Sequence, residues 1–234
     1  MINNNNTVII TTTIPNEPIP EKRRNNLINN FSKYNIPIVF NDYVRKNKSI
    51  QEISCEMIVN SLELYKKMDI EHAIICDDDF FPIDNFLDEL NKTIELLPEN
   101  WRSLHLCPAY LWGRIHRDKE KIGKLNAEYN MDDIPFHSSG RFYLDCDSDL
   151  YYKKKFWLGG PVCILVNKKN VDSVLDDFIK ANNENPENDD VIFTRILNNN
   201  DFICREPMLG YEEEGGGTTF PGRGWTTVAT GYNY

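Results

Sequence analysis

The stretch His72-Ala-Ile-Ile-Cys-Asp-Asp-Asp-Phe-Phe-Pro82 decides how this chain is read. Ala73 to Cys76 form a short apolar run of the kind that makes a strand covered on both faces in a parallel sheet. The run stops abruptly at Asp77, Asp78 and Asp79. Upstream, Thr7-Val-Ile-Ile-Thr-Thr-Thr13 is β-branched throughout and predicts a first strand ending before Pro15. Between the two lie a helical pattern over 21–34 (Leu27, Ile28, Phe31), a short strand over Pro37–Phe40, and an amphipathic helix from Ser49, its N-cap, to about Lys67.

Downstream the pattern predicts a helix over Ile83–Leu97 and a strand over Trp101–Cys107. A polar loop or lid follows over Asp118–Pro135, then a strand over Arg141–Asp145. A buried strand over Val162–Val166, a helix over Val171–Ala181, a short helix from Asn188 to Leu197 and a last strand over Asp201–Arg205 complete it. Strands alternating with helices imply an α/β fold, with right-handed crossovers, a mostly parallel central sheet and helices on both faces. Such sheets bind ligands beyond the carboxyl ends of their strands. That rule selects Thr11–Pro15, Asn41–Arg45 and Asp77–Asp79. One domain over 1–206 is expected, followed by a Gly-rich tail over 207–234 that suits an active-site lid.

With 234 residues, 41% hydrophobic and 12% aromatic, the chain has the makings of a packed core. A net charge of -10 argues against nucleic acid as partner, because a phosphate backbone calls for a basic face. The six cysteines form no CxxC pair, which argues against a zinc site and for reduced thiols. The N-terminus lacks a signal-peptide pattern, and no run approaches the ~20 apolar residues of a membrane span. A cytoplasmic protein is expected. Asn-rich patches at Asn3–Asn6 and Asn198–Asn200 are compositional bias on surface loops.

Three adjacent carboxylates repel one another, at a cost of roughly 1 kcal/mol in water and several near a protein surface. A divalent cation removes that cost, and hard carboxylate oxygens suit Mg²⁺ or Mn²⁺. A solvated turn is the alternative, since Asp is common in turns. In extended geometry Asp77 and Asp79 would face one way and Asp78 the other.

The apolar strand followed by Asp77-Asp78-Asp79 resembles the DxD signature of GT-A glycosyltransferases, and the early βαβ pattern and Gly159-Gly160 fit that family too. In size the chain is similar to small cytosolic glycosyltransferases of large DNA viruses and bacteria, including the chlorovirus rhamnosyltransferase domain. The resemblance covers Thr7 to Arg205 and implies a Mn²⁺ or Mg²⁺ cofactor, a UDP- or GDP-sugar donor and a glycan or glycoconjugate acceptor. It implies that Asp79 ligates the metal directly and that Asp77 binds the donor ribose or the metal, with Asp78 in the same donor site. Some members add a C-terminal histidine ligand; here the last histidine is His137, so a further protein ligand would be another residue, with Glu212-Glu-Glu214 one candidate.

The resemblance places nucleotide contacts at Thr11, Thr12 and Thr13, although β-propensity accounts for these threonines equally well. Arg45 is a candidate for the diphosphate, since guanidinium forks match phosphate oxygens. The Arg23-Arg24 and Arg45–Lys48 clusters otherwise read as solvated charge. Trp157 with Gly159 and Gly160 offers a stacking face and close backbone approach for a donor sugar; a tight turn with Trp157 in the core is the alternative. Asp190 or Asp189, at a helix start, is the candidate general base, against a simple helix-dipole role. Direct displacement by an acceptor hydroxyl would invert the anomeric centre. His72 reads as structural, while His105 and His116 lie near aromatic residues that suit a substrate contact. The rival readings are a sugar-nucleotide nucleotidyltransferase, which would carry a Gly-rich basic loop after strand one, and a carbohydrate- or cation-binding module.

Overall fold

The computed structural model describes residues 1–13, 18–44, 48–107, 135–144, 163–187, 189–205 and 209–212. Arg45, His116, Trp157, Gly159, Gly160, Asn188, the 118–134 segment and the tail beyond Glu212 lie outside the described residues. Nine strands and five α-helices occur among those described, with a 3-10 turn over Lys168–Asn170. They are β1 (Thr7–Thr13), α1 (Pro18–Ser32), β2 (Ile38–Asp42), α2 (Ile50–Lys67), β3 (His72–Cys76), β4 (Phe80–Pro82), α3 (Phe86–Ile94), β5 (Ser103–His105) and β6 (Phe142–Tyr143). They continue with β7 (Cys163–Asn167), α4 (Val171–Glu184), α5 (Asp189–Arg195), β8 (Asp201–Cys204) and β9 (Gly210–Glu212).

Seven strands form one sheet in the order β2-β1-β3-β7-β5-β8-β6. β1 pairs in parallel with β2 and β3, and β5 with β8. β7 enters antiparallel between β3 and β5, and β6 closes the edge antiparallel to β8. Five of the seven strands therefore point the same way. The expected α/β architecture with a mostly parallel sheet is present, and the two reversed strands are additions that periodicity does not reveal.

Helices cover both faces. Ile9 packs with Leu27 and Phe31 of α1 and with Phe86 and Leu90 of α3 on one side. Val8 and Ile10 pack with Cys55, Ile58 and Leu62 of α2, Phe178 of α4 and Ile192 of α5 on the other. This two-sided cover buries all seven residues of β1, which is why the strand is β-branched at every position instead of alternating. α2 opens on a capping box, in which the Ser49 hydroxyl accepts from the Glu52 amide and the Glu52 carboxylate accepts from the Ser49 amide. It closes on Lys168, whose ammonium donates to the last-turn carbonyls of Tyr65 and Lys66 at 2.8 Å each.

A second, two-stranded sheet pairs β4 with β9, antiparallel. The sequence reading assigned no element to either segment and treated everything after Arg205 as loop. Both strands are three residues long, too short for a periodic signal, and each exists only because the other is present. Leu209 adds to the junction by donating to the Leu106 carbonyl and accepting from the Ile83 amide. Gly210 is required there: a Cβ would lie 2.2 Å from Phe80 Cε2 and 2.7 Å from the Phe81 carbonyl oxygen. Phe80 is fully buried and has no room to yield. Gly210→Ala is expected to destabilise the fold by about 1–3 kcal/mol through overpacking, read as a lower denaturant midpoint.

Candidate active site

The parallel strands β1, β2 and β3 end together, with Thr13 paired to Asp42 and Thr11 to Cys76. Cys163, three residues after Gly160, lies opposite Cys76, so β7 begins where β3 ends. Asp77 leaves β3 at this shared edge. The Phe80 amide then donates to the Asp77 carbonyl at 3.3 Å, closing a β-turn with Asp78 and Asp79 at its centre. The extended alternation expected for the three acids does not persist through this turn. Asp78 and Asp79 instead meet the same partner.

That partner is Arg23 of α1. Its Nη1 lies 3.1 Å from Asp78 Oδ1 and its Nη2 3.1 Å from Asp79 Oδ2. The contact is dry: the Arg23 and Asp78 side chains are each 7% exposed and Asp79 11%. Burial opposes the Arg23 charge, but Asp79 and Asp78 outweigh it and hold the guanidinium above its ordinary range. Burial, and then the neighbouring Asp79, push the Asp78 carboxyl up to about 7, with Arg23 pulling the other way. Arg23 thus gathers two of the three consecutive carboxylates on one buried guanidinium. Asp77 is half-buried beside it.

By sequence the Arg23-Arg24 pair reads, like Arg45–Lys48, either as a diphosphate contact or as solvated charge; the structure buries Arg23 against the acidic turn. Its signal was positional: Arg23, Leu27 and Phe31 are spaced by four, and all three are buried on one helix stripe. A charge on an apolar stripe needs a buried partner. Arg24, one residue on, faces the other way, bonding Asp42 at 3.0 Å and stacking 3.9 Å over the Phe40 ring. The adjacent arginines thus straddle β1 and tie α1 to the ends of both its neighbours.

Thr11, Thr12 and Thr13 are buried at the end of β1. The Thr12 hydroxyl lies 3.0 Å from the Ser61 hydroxyl, and Thr13 donates to Asp42 Oδ1 at 3.3 Å. Thr11 Oγ1 is buried without a hydrogen-bond partner among the described residues. Asp189 begins α5 and Asp190 follows in its first turn. The Cys55 thiol, early in α2, bonds the Glu187 carbonyl at 3.3 Å, which sets the start of α5 toward the carboxyl edge of the sheet. Glu212 sits opposite Phe80 in the β4–β9 register, one position from Asp79.

As a donor set, Asp77 and Asp79 fit a Mg²⁺ or Mn²⁺ ion that keeps waters and substrate phosphates as its remaining ligands, because such ions are commonly held by one or two carboxylates. Among the described residues no group of three His, Cys, Asp or Glu side chains is arranged to hold a metal. Five described cysteines, Cys55, Cys76, Cys107, Cys163 and Cys204, are buried thiols outside any disulfide. Burial, reinforced by a hydrogen bond with Cys76, drives the Cys163 thiol well above its usual range, which makes it a poor nucleophile. No helix among the described residues is long and apolar enough to cross a membrane.

No protein-family model matches the chain, and no curated protein matches it significantly. Among solved structures it is similar to a glycosyltransferase involved in the glycosylation of the major capsid of PBCV-1, at 11% identity and a TM-score of 0.44, over 77% of this chain and 68% of that one. It is also similar to mouse xyloside xylosyltransferase 1 in its apo form, at 12% identity and a TM-score of 0.38, over 82% and 80% of the two chains. Likenesses of this size establish no shared activity.

His105 ends β5 as a buried residue, its ring set edge-on to Phe193 of α5 with centroids 5.8 Å apart. Burial lowers its pKa to about 4, while the Asp201 charge raises it and Arg102 lowers it. His105 is therefore neutral in the fold and takes up a proton on unfolding. Stability is complete above the free-histidine pKa of about 6.5 and falls as pH drops from there toward 4, by about 3 kcal/mol in all. Chemical denaturation across that window is expected to show a shallower acid slope for His105→Gln than for the unaltered protein.

Proposed function

We propose that the chain is a GT-A-like, metal-dependent glycosyltransferase that moves a sugar from a UDP- or GDP-sugar to an acceptor hydroxyl on a glycan or glycoconjugate. The observation that carries this reading is the acidic carboxyl edge: three consecutive carboxylates at the end of β3, two of them gathered on one buried guanidinium. An anionic diphosphate approaching such an edge requires an intervening cation. Asp77 and Asp79 would hold a Mn²⁺ or Mg²⁺ ion, with Asp78 kept behind them by Arg23. Lewis-acid stabilisation of the departing diphosphate is the chemistry such an ion supplies when bound.

The chain's own residues supply the remainder. Asp189 or Asp190, at the start of α5, accepts the proton of the acceptor hydroxyl as it attacks the anomeric carbon, and direct displacement inverts that centre. Arg45 offers a fork to the diphosphate, and Trp157 with Gly159-Gly160, leading into β7, offers a sugar-stacking face and a backbone that a ligand can approach closely. The Gly-rich tail enters beside the acidic turn through β9 and suits a cover that excludes water from the donor.

A second reading has one observation in its favour. Arg23 pairing with Asp78 and Asp79 would also be found in an acidic turn that serves structure alone, as in a carbohydrate- or cation-binding module. Asp77 separates the two. Calorimetric titration of UDP- and GDP-sugars, with and without Mn²⁺, should give affinity only with the metal, accompanied by slow donor hydrolysis. Asp77→Asn and Asp79→Asn are each expected to lower that hydrolysis roughly 10²-fold. Metal-independent nucleotide binding, or full hydrolysis by Asp77→Asn, would leave the binding module as the better description.

A further inference from the structure

We propose that Arg23 is a positioning residue of the acidic turn: it holds Asp79 by one oxygen, so that the carboxylates stay gathered at the sheet edge for a cation. This rests on the metal-dependent reading above. A turn of adjacent acids has every electrostatic reason to splay, and α1 restrains it at both ends. At the acidic centre the Arg23 fork spans two different carboxylates, at 3.1 Å each. At the exit Phe31, eight residues further along the same helix, stacks on Phe80 at 6.0 Å with the rings 24° from parallel. Arg24 fixes the same helix to the end of β2 through Asp42. The planar guanidinium suits the central task, because two parallel N–H donors reach two acceptors at once, where a lysine ammonium is a single point charge. Dryness strengthens the arrangement, since neither Arg23 nor Asp78 is exposed enough to exchange its partner for water.

Two roles are combined in Arg23, and they separate experimentally. Compensating the buried Asp78 charge is structural. Orienting Asp79 concerns the metal. Arg23→Met alone would strand Asp78 as an unpaired buried charge and endanger the fold. The test therefore compares Asp78→Asn, in which Arg23 still holds Asp79, with Arg23→Met/Asp78→Asn, in which both charges of the buried pair are gone. The probe is MnCl₂ alone, with free Mn²⁺ followed by electron paramagnetic resonance and folding by thermal melting. The double variant is expected to melt cooperatively and to bind Mn²⁺ about tenfold more weakly than Asp78→Asn, the size usual for loss of a group that orients a metal ligand. Arg23→Lys, which retains charge without the fork, should also bind Mn²⁺ more weakly than the unaltered protein.

Mn²⁺ affinity that is equal or tighter in the folded double variant overturns the proposal, because loss of a merely competing cation gives that result. If the double variant does not fold, unchanged Mn²⁺ affinity in Arg23→Lys overturns it. Unaltered protein that binds no Mn²⁺ removes the metal-dependent reading itself, and the proposal with it, and that outcome is read before any variant is made.

Discussion

A guanidinium buried against two members of an acidic triplet is the constraint on which this molecule turns. Isolated from water, each of these charges would be intolerable alone, and breaking such a pair typically costs about 3–5 kcal/mol. Arg23, Asp78 and Asp79 therefore fix one another, and through them α1 is fixed to the end of β3. Structure and proposed chemistry thus share a cause: the pairing that anchors the helix also gathers the acids at the sheet edge.

Most of the remaining architecture serves to bring this turn to an open edge. β1 and β3 are buried on both faces by helices, so their polar groups can emerge only at strand ends. At the opposite end of the sheet Arg102 supports the scaffold, bonding Asp201 through Nε at 2.9 Å and Nη2 at 2.6 Å, while the Ser103 hydroxyl donates to the same carboxylate. Asp177 completes that network from α4. One end is thus locked by an ionic cluster, and the other carries the acidic turn, at the carboxyl edge where α/β sheets bind ligands.

Much of the fold was legible from local patterns. A β-branched run marked β1, a short apolar run marked β3, helical apolar spacing marked α1 and α2, and Ser49 marked a helix start. The location of the triplet at a strand end was legible for the same reason, since Ala73–Cys76 could end nowhere else. Arg23 was visible as a basic residue but not as a partner. Its carboxylate lies 55 residues away, and no local pattern carries that separation. β4 and β9 were equally hidden, because a three-residue strand has no period and is defined by what it pairs with. Thr12 and Thr13, which the family resemblance offered as nucleotide contacts and β-propensity explained equally well, are buried with their hydroxyls bonded to Ser61 and Asp42.

The amino-acid sequence by itself determined the longer strands and helices, that helices would cover both faces of the sheet, and that three acids would emerge at its carboxyl edge. Those properties follow from side-chain periodicity and from the reach of hydrogen bonds a few residues long. Only the tertiary structure decided that β7 runs against its neighbours, that β9 returns to meet β4, and that Asp78 and Asp79 turn inward to Arg23 while Asp77 stands beside them. These outcomes depend on which surfaces remain to be covered once the helices have packed, and that is a property of the assembled chain.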